Sequence, residues 1–296
     1  MTITATIVAD SISPVDTRLT TFQLRYPRFI HAELMTHRVF SRNASSSRAI
    51  PVKKMIEDLR RDPAMPVYWG TNKPGMQAGE ELSSLQLSST KNQWLLAMEK
   101  SINHAETMVK LGLHKQIANR ILEPWAHINV VVTATDYANF FELRCHADAQ
   151  PEIKALADVM YDAQQESQPN KLEPGQWHLP YITENDRDVA CFDHGCGPNG
   201  TPEHIALLQK VSVARCARVS YLTHDGRQTT VEEDVALYER LVVSQPLHAS
   251  PAEHQATPDV LLDVMGRPQW QNRYEWGNFR HWRQLRKQLP GEFTPG

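Results

Sequence analysis

The chain has 296 residues, of which 41% are hydrophobic and 22% charged, and its formal net charge is −3. That composition is the composition of a globular protein with a sizeable core, and its weakly acidic balance offers no global field to attract nucleic acid. No apolar run approaches the roughly 20 residues of a membrane span. Residues 1–7 carry no basic segment of a secretory signal, so a cytoplasmic location is expected. Cys145, Cys191, Cys196 and Cys216 are too scattered for a disulfide framework and read as free thiols.

Residues 2–9 and 17–26 read as strands. In the second, Arg18, Thr20, Phe22 and Leu24 share one face, and Leu19, Thr21 and Gln23 the other. Pro27 sits where a helix takes its first residue, and a helix over 28–37 delivers His37 and Arg38 at its end. Residues 63–85, rich in Pro and Gly, read as an irregular excursion. A long helix is predicted over 90–122, with Trp94, Met98, Ile102, Ala105 and Val109 as its apolar stripe. Residues 127–135 read as a buried strand, after which Asp136 is placed to cap a helix carrying Tyr137, Phe140, Phe141 and Arg144. Another helix opens at Pro151. Residues 166–202 read as a loop joining two halves. Helices follow over 203–218 and from Thr230-Val231-Glu232-Glu233, a capping box. Residues 246–258 read as irregular, and 278–289 as a helix with Arg280, Arg283 and Lys287 on one face.

The densest chemistry lies in residues 36–48, Thr-His-Arg-Val-Phe-Ser-Arg-Asn-Ala-Ser-Ser-Ser-Arg. Only Val39 and Phe40 could anchor a core there. Each unpaired buried polar group costs about 1–3 kcal/mol, so such a segment lies in water or holds a ligand rich in acceptors. Phosphate and a pyrimidine edge are the plainest candidates, because arginine forks match phosphate oxygens bidentately. A second cluster comprises Arg120, Asn139 and Arg144. Asn139 and Arg144, five apart, suit different parts of one extended ligand; an ion pair of Arg144 with Glu142 or Asp148 is the alternative. A third cluster is His248-Ala249-Ser250-Pro251-Ala252-Glu253-His254. Its spacing is not that of a zinc helix and Pro251 breaks any helix, while Cys191 and Cys196 make one pair without the other ligands of a structural zinc, so no metal is assigned. The terminal basic face, with Phe279 and Trp282 interleaved, suits phosphate, nucleic acid or plain surface. No glycine-rich phosphate loop of the P-loop or dinucleotide type occurs.

These clusters resemble the flavin-dependent thymidylate synthases, the ThyX family. His37, Arg38, Ser41, Asn43, Ser46 and Arg48 stand in register with its Arg-His-Arg…Ser-x-Arg signature. Asn139-Phe140-x-x-Leu143-Arg144, followed by Ala149-Gln150-x-Glu152-Ile153, is similar to its Asn-Phe-x-x-Leu-Arg…Ala-Gln-Trp-Glu-Ile stretch, and Arg120-Ile121-Leu122-x-Pro124 resembles its Ala-Arg-x-x-Leu-Pro helix end. Cys216-Ala217-Arg218-Val219-Ser220-Tyr221 and His248-x-Ser250-Pro251-x-Glu253-His254 resemble segments that precede the arginine signature in the family but follow it here. The order implies a circular permutation within a single domain over 1–296. Its arginine-signature half spans 1–165, a connecting loop 166–204, the permuted half 205–258 and a C-terminal extension 259–296. Termini of compact domains often lie close together, which makes a permutation physically easy.

The resemblance implies an α+β fold, with a twisted, mostly antiparallel sheet flanked by helices, in a homotetramer whose sites form between subunits. It implies reductive methylation of deoxyuridylate (dUMP) to thymidylate, with FAD as cofactor and methylenetetrahydrofolate and NADPH as co-substrates, and neither a membrane nor a nucleic acid as partner. Carried over, Ser46, Ser47, Arg48, Arg120 and Arg144 would bind dUMP. Arg144 would also polarise the uracil, and His248 would stand beside nucleotide, flavin and folate, making these two the catalytic residues. His37, Arg38, Val39, Asn43, Asn139, Ser220, Ser250 and Glu253 would hold FAD. The family uses no cysteine nucleophile. Thr36, Ala44, Thr133, Thr135, Asp148 and Pro151 depart from its pattern. A flavin enzyme adding another one-carbon group to C5 therefore stays open, as does a non-catalytic nucleotide-binding module.

Overall fold

In the computed structural model, which describes residues 3–194, 201–219, 227–243 and 246–292, the alternating pattern of the first two strands closes a hairpin. β1 (Thr4–Ile12) pairs antiparallel with β2 (Arg18–Pro27), with Thr4 opposite Arg25 and Ile12 opposite Arg18. Next come a one-turn helix α1 (His31–Leu34), strand β3 (Ser41–Ala44) and helix α2 (Val52–Arg61). Helix α3 (Ser84–Lys110), the short α4 (Lys115–Ala118) and a 3-10 turn at Asn119–Trp125 lead into β4 (His127–Ala134). Helices α5 (Ala138–Arg144) and α6 (Pro151–Glu166) and the short strand β5 (Asn170–Lys171) complete the first half. The second half holds α7 (Glu184–His194), α8 (Pro202–Arg218) and α9 (Val231–Tyr238), a 3-10 turn at Ser250–Glu253, and strands β6 (Ala256–Pro258), β7 (Leu261–Val264), β8 (Arg267–Trp270) and β9 (Trp282–Gln284).

The main sheet runs β3-β4-β2-β1-β5, antiparallel except where β5 joins β1. Alternate residues of a strand face opposite ways, and here the two faces differ in kind. Phe22, Leu24, Ile128, Val130 and Val132 form an apolar face, buried against Phe140 of α5 and Ile153, Leu156 and Met160 of α6. A second cluster joins α2 and α3 to the 119–125 turn through Met55, Leu59, Met98, Ile102, Leu122 and Trp125. Among the described residues no helix is long and apolar enough to cross a membrane.

Several elements differ from the sequence expectation. The helix expected over 28–37 is a 3-10 turn at Arg28–Ile30 followed by α1, because the Thr36 hydroxyl bonds back to the Glu33 carbonyl (2.7 Å) and turns the chain. The long helix begins earlier than expected, where the Ser83 N–H donates to the Gln86 side chain (3.3 Å), and ends at Lys110, with Gly112 at φ 91° beyond it. Arg120 therefore stands on the 3-10 turn. Asp136 does not cap α5; Tyr137 holds that position without a side-chain bond. Residues 166–202 are no loose linker, since α7 lies within them and His178 and Leu179 are buried. Cys191, expected as a free thiol, is disulfide-bonded; Cys145 and Cys216 are free, and Cys196 lies outside the described residues. The helix expected over 278–289 is β9 and a 3-10 turn, because Trp282 is wholly buried and the backbone around it pairs with β6. Tertiary burial overrides local helix propensity there.

The second face of the main sheet is partly polar, and the C-terminal half covers it. Leu19 packs against Phe279 and Trp282, and Val131 against Cys216 and Val219. Between these apolar contacts runs a buried chain of hydrogen bonds. Ser11 Oγ meets His178 Nδ1 at 2.9 Å, His178 Nε2 meets the Thr21 hydroxyl at 2.7 Å, Thr21 meets Thr133 at 2.7 Å, and Thr133 meets His254 Nδ1 at 2.8 Å. Thr21 and Thr133 are direct cross-strand partners. Burial pushes His178 down to about 3, and burial together with His178 does the same to His254. Neutral imidazole has one N–H to give and one lone pair to accept, which lets the chain close with every member paired.

These two histidines set a pH dependence. In the unfolded chain each takes up a proton near 6.5, whereas in the fold each stays neutral down to about 3. Between those limits the unfolded state binds more protons, so stability is lost as pH falls through that window. Urea titrations at successive pH values are expected to show the unfolding midpoint dropping below about pH 6.5, with a contribution of up to about 1.4 kcal/mol per pH unit from each histidine. A midpoint that stays flat down to about pH 5 would contradict the buried neutral pair.

Candidate functional site

β3 carries the donor-rich segment and pairs with β4, Ser41 opposite Thr133 and Ala44 opposite Val130. Cationic side chains gather at both ends of this strand. At its start, His37 is buried, edge-on to Phe140 at 4.9 Å and stacked near Phe40 at 5.7 Å. Arg144 Nε, at the end of α5, donates to His37 Nε2 (3.1 Å). Arg42 donates to the His37 carbonyl (2.7 Å) and the Met35 carbonyl (3.2 Å). Burial first, then the charges of Arg144 and Arg42, lower the His37 pKa and keep its ring neutral. With Nε2 accepting, the ring proton resides on Nδ1. Arg38 and Val39 are exposed beside it, as are Met35 and Leu143. A cleft of about 420 Å³ opens at the end of α5, lined by Leu143, Arg144, His146 and Asp148. Asp148 bonds Gln77 (2.8 Å) and is not the partner of Arg144.

At the far end of β3, the Ser45 N–H donates to the Asn129 carbonyl (2.8 Å), and the chain turns through Ser46, Ser47 and Arg48. Buried Ser47 donates to Glu123 Oε1 (2.5 Å), the same oxygen that meets Arg120 (2.9 Å) and Arg28 (3.3 Å). Asn119 Nδ2 clamps this turn by donating to the carbonyls of Ser47 (2.8 Å) and Ile50 (2.9 Å). Arg48 is exposed, its Nε 3.5 Å from Ser46 Oγ. Ser47 and Arg120 thus meet at Glu123, with Ser46 and Arg48 on the same turn as Ser47. Arg144 does not join them within one chain. A strand advances about 3.3 Å per residue, so the span from Ser41 to Ser45 separates the two groups by about 13 Å.

The Ser250–Glu253 turn rests on the start of β3, although it lies far along the chain. The Asn43 amide nitrogen faces three acceptors: His254 Nε2 at 3.2 Å and the carbonyls of Ser250 and Arg42, each at 3.1 Å. Asn43 and His254 are 211 positions apart in sequence. Glu253 pairs with Arg286, and its carbonyl accepts from Gln284 (3.0 Å). Ser250 and His248 are exposed, His248 held by a backbone bond to Leu241 (2.8 Å). Asn139 is exposed on α5. His37, Arg38, Val39, Asn43, Ser250 and Glu253 therefore gather with Arg144 around the start of β3. Ser220 lies outside the described residues.

Sequence reasoning missed the residues that brace this group. Thr133 belongs to the buried chain of hydrogen bonds, and the Thr135 hydroxyl accepts from the Arg280 N–H (3.1 Å). Asn278 and Gln284 reach Ser41 and Val39 from the C-terminal segment. No periodicity marks these amides; only the tertiary contact does. The Glu123 hub carries a consequence for stability. Glu123→Ala leaves the buried Ser47 hydroxyl without its acceptor and is expected to cost about 1–3 kcal/mol, measured by chemical denaturation. A variant as stable as the parent would show that Glu123 does not hold the turn.

Known proteins bear on these groups as follows. Among curated proteins, none matches the chain. Of solved structures, a UMP/dUMP methylase PolB from Streptomyces cacaoi, bound with 5-Br dUMP, shares 19% identity over 56% of this chain and 90% of its own, with a TM-score of 0.47. The same protein bound with 5-Br UMP gives 21% identity over 56% of this chain and 89% of its own, at a TM-score of 0.44. Thymidylate Synthase X (ThyX) from Helicobacter pylori, with FAD and dUMP, shares 14% identity over 49% of this chain and 67% of its own, at a TM-score of 0.36. The family model of the thymidylate synthase complementing proteins, Thy1, matches residues 3–170, from β1 through β5. That span is more than half of the sequence and contains both cationic groups, and the chain accordingly belongs to the thymidylate synthase complementing protein family.

Proposed function

We propose that this chain is a flavin-dependent thymidylate synthase that methylates C5 of dUMP, taking its carbon from methylenetetrahydrofolate and its electrons from NADPH. The observation that carries the reading is Arg144 bonded to the neutral ring of His37 (3.1 Å) inside the arginine signature of a family member. A neutral imidazole orients the guanidinium without cancelling its charge, as a carboxylate partner would. Fixed positive charge aimed at a uracil ring stabilises the negative charge that develops there, which makes C5 the attacking carbon. Arg144 would do this for a uracil bound beside it.

The side chains around the start of β3 suit a flavin. Arg38 is an exposed donor, while Val39 at 50% and Leu143 at 52% exposure supply apolar surface for a flat ring system. Asn43, Ser250 and Glu253 lie alongside. Bound there, FAD would supply the redox chemistry that no side chain of the protein can. The protein's part is to bind, orient and polarise. Ser46, Ser47, Arg48 and Arg120 at the other end of β3 suit a 5′-phosphate: the arginines provide forks and the serines hydroxyls. The roughly 13 Å between the two groups in one chain fits a site completed by a second subunit, in a homotetramer. The Ser250–Glu253 turn against β3 supports a single permuted domain, in which a segment from near the C-terminal end takes the place beside the signature that it would hold if it came first.

The decisive experiment incubates the protein with dUMP, methylenetetrahydrofolate, FAD and NADPH and weighs the nucleotide. A gain of one CH2 is expected, a methyl group having replaced the hydrogen on C5. A colourless protein that leaves dUMP unchanged and binds no FAD would refute the proposal. Arg144→Ala is expected to cut turnover by about a hundredfold or more, the range for a group that stabilises charge in the transition state, while leaving the thermal midpoint near that of the parent. Full activity in that variant would remove Arg144 from the mechanism.

A further inference from the structure

The C-terminal segment, outside the family-matched residues 3–170, is clamped onto the start of β3. Asn278 Nδ2 donates to the Val39 carbonyl (2.8 Å), and its Oδ1 accepts from Ser41 Oγ (3.2 Å). Buried Gln284 donates to the Glu253 carbonyl (3.0 Å) and to Asn278 Oδ1 (3.1 Å). Trp282 Nε1 donates to the Thr17 carbonyl (3.1 Å), and its ring is wholly buried. His281 Nδ1 meets the Thr17 hydroxyl at 2.6 Å, and its ring stacks on Trp270 at 4.4 Å. These anchors hold His281 at φ 64°, a left-handed conformation that a non-glycine residue keeps only where its surroundings over-determine it.

Between these anchors stands Arg280. Its backbone N–H is tied to the Thr135 hydroxyl (3.1 Å), at the turn from β4 into α5. Its side chain is 62% exposed and, among the described residues, its guanidinium meets one carboxylate, Asp136, at 3.7 Å. The neighbouring cations are more tightly engaged: Arg283 with Glu275 (2.7 Å), Arg286 with Glu253, and Lys287 with Glu292 (3.0 Å). A strained, clamped backbone therefore delivers one loosely paired arginine next to the loop of Arg38 and Val39. We propose that Arg280 is a ligand-binding residue of this site, gripping a phosphate oxyanion of the nucleotide or dinucleotide held over residues 37–41, and that Asp136 competes for it when the site is empty. The inference rests on the functional reading above.

The test uses the full chain as parent, Arg280→Gln and Asp136→Asn, titrated with FAD by flavin fluorescence and with dUMP by calorimetry. Riboflavin and deoxyuridine serve as phosphate-free probes, and thermal midpoints are recorded. Arg280→Gln is expected to weaken FAD or dUMP by roughly tenfold or more, the scale of a charge-assisted bond to phosphate, and to leave riboflavin and deoxyuridine unaffected. The arm that responds identifies whose phosphate is held. Asp136→Asn is expected to tighten that same ligand. Unchanged affinity for both FAD and dUMP in Arg280→Gln would overturn the assignment. So would equal weakening of the phosphate-free probes, or matched losses of thermal midpoint in both variants without a change in binding; each would make the pair structural. A parent chain that binds neither flavin nor nucleotide would overturn the functional reading and this inference together.

Discussion

The fold depends on one interface, the partly polar face of the main sheet under the C-terminal half. A buried hydroxyl or imidazole is tolerable only when bonded. Here Ser11, Thr21, Thr133, His178 and His254 satisfy one another across three strands and two later segments. An apolar interface would tolerate sliding. A hydrogen-bonded chain has one register, because a small shift leaves several buried groups unpaired at once. His254, the last of these residues, hands that register to Asn43, and the Ser250–Glu253 turn is thereby set against β3. The geometry around the donor-rich segment is thus inherited from the core.

Electrostatics at that segment follow from the choice of partners. Arg144 is oriented by a neutral ring, so its field is left whole. Arg120, Arg28 and Ser47 converge on Glu123, which fixes the turn after β3 but offsets part of its charge. Arg42 turns inward to carbonyls, while Arg38 and Arg48 remain outward. A net charge of −3 over the chain is compatible with this cationic concentration because it is local.

Much of this was legible in the residues, and the reasons differ from element to element. Phe22, Leu24, Val130 and Val132 alternate with residues bound for the other face, and period-two patterning is a backbone property that survives any tertiary context. The density of donors from His37 to Arg48 read as a segment that lies in water or holds a ligand, and the fold buries part of it instead, giving His37, Ser41 and Ser47 partners within the protein. The Thr230 capping box formed as read, being local chemistry between neighbouring residues. Residues 278–289 misled: the basic and apolar spacing suits a helix, but Trp282 fills the space beside Leu19 and draws the backbone into β9. Asp136 misled likewise, its carboxylate facing Arg280 instead of the first turn of α5.

By itself, the sequence determined β1, β2 and β4, the capping box of α9 and the donor-rich character of residues 36–48, because each follows from interactions among residues a few positions apart. Only the tertiary structure decided that Arg144 meets His37, that Ser47 and Arg120 share Glu123 at the opposite end of β3, and that the C-terminal segment braces Val39 and Ser41. These contacts join positions scattered along the chain. They are chosen by which buried polar groups find partners once the halves dock, a sum over the whole molecule that no local pattern encodes.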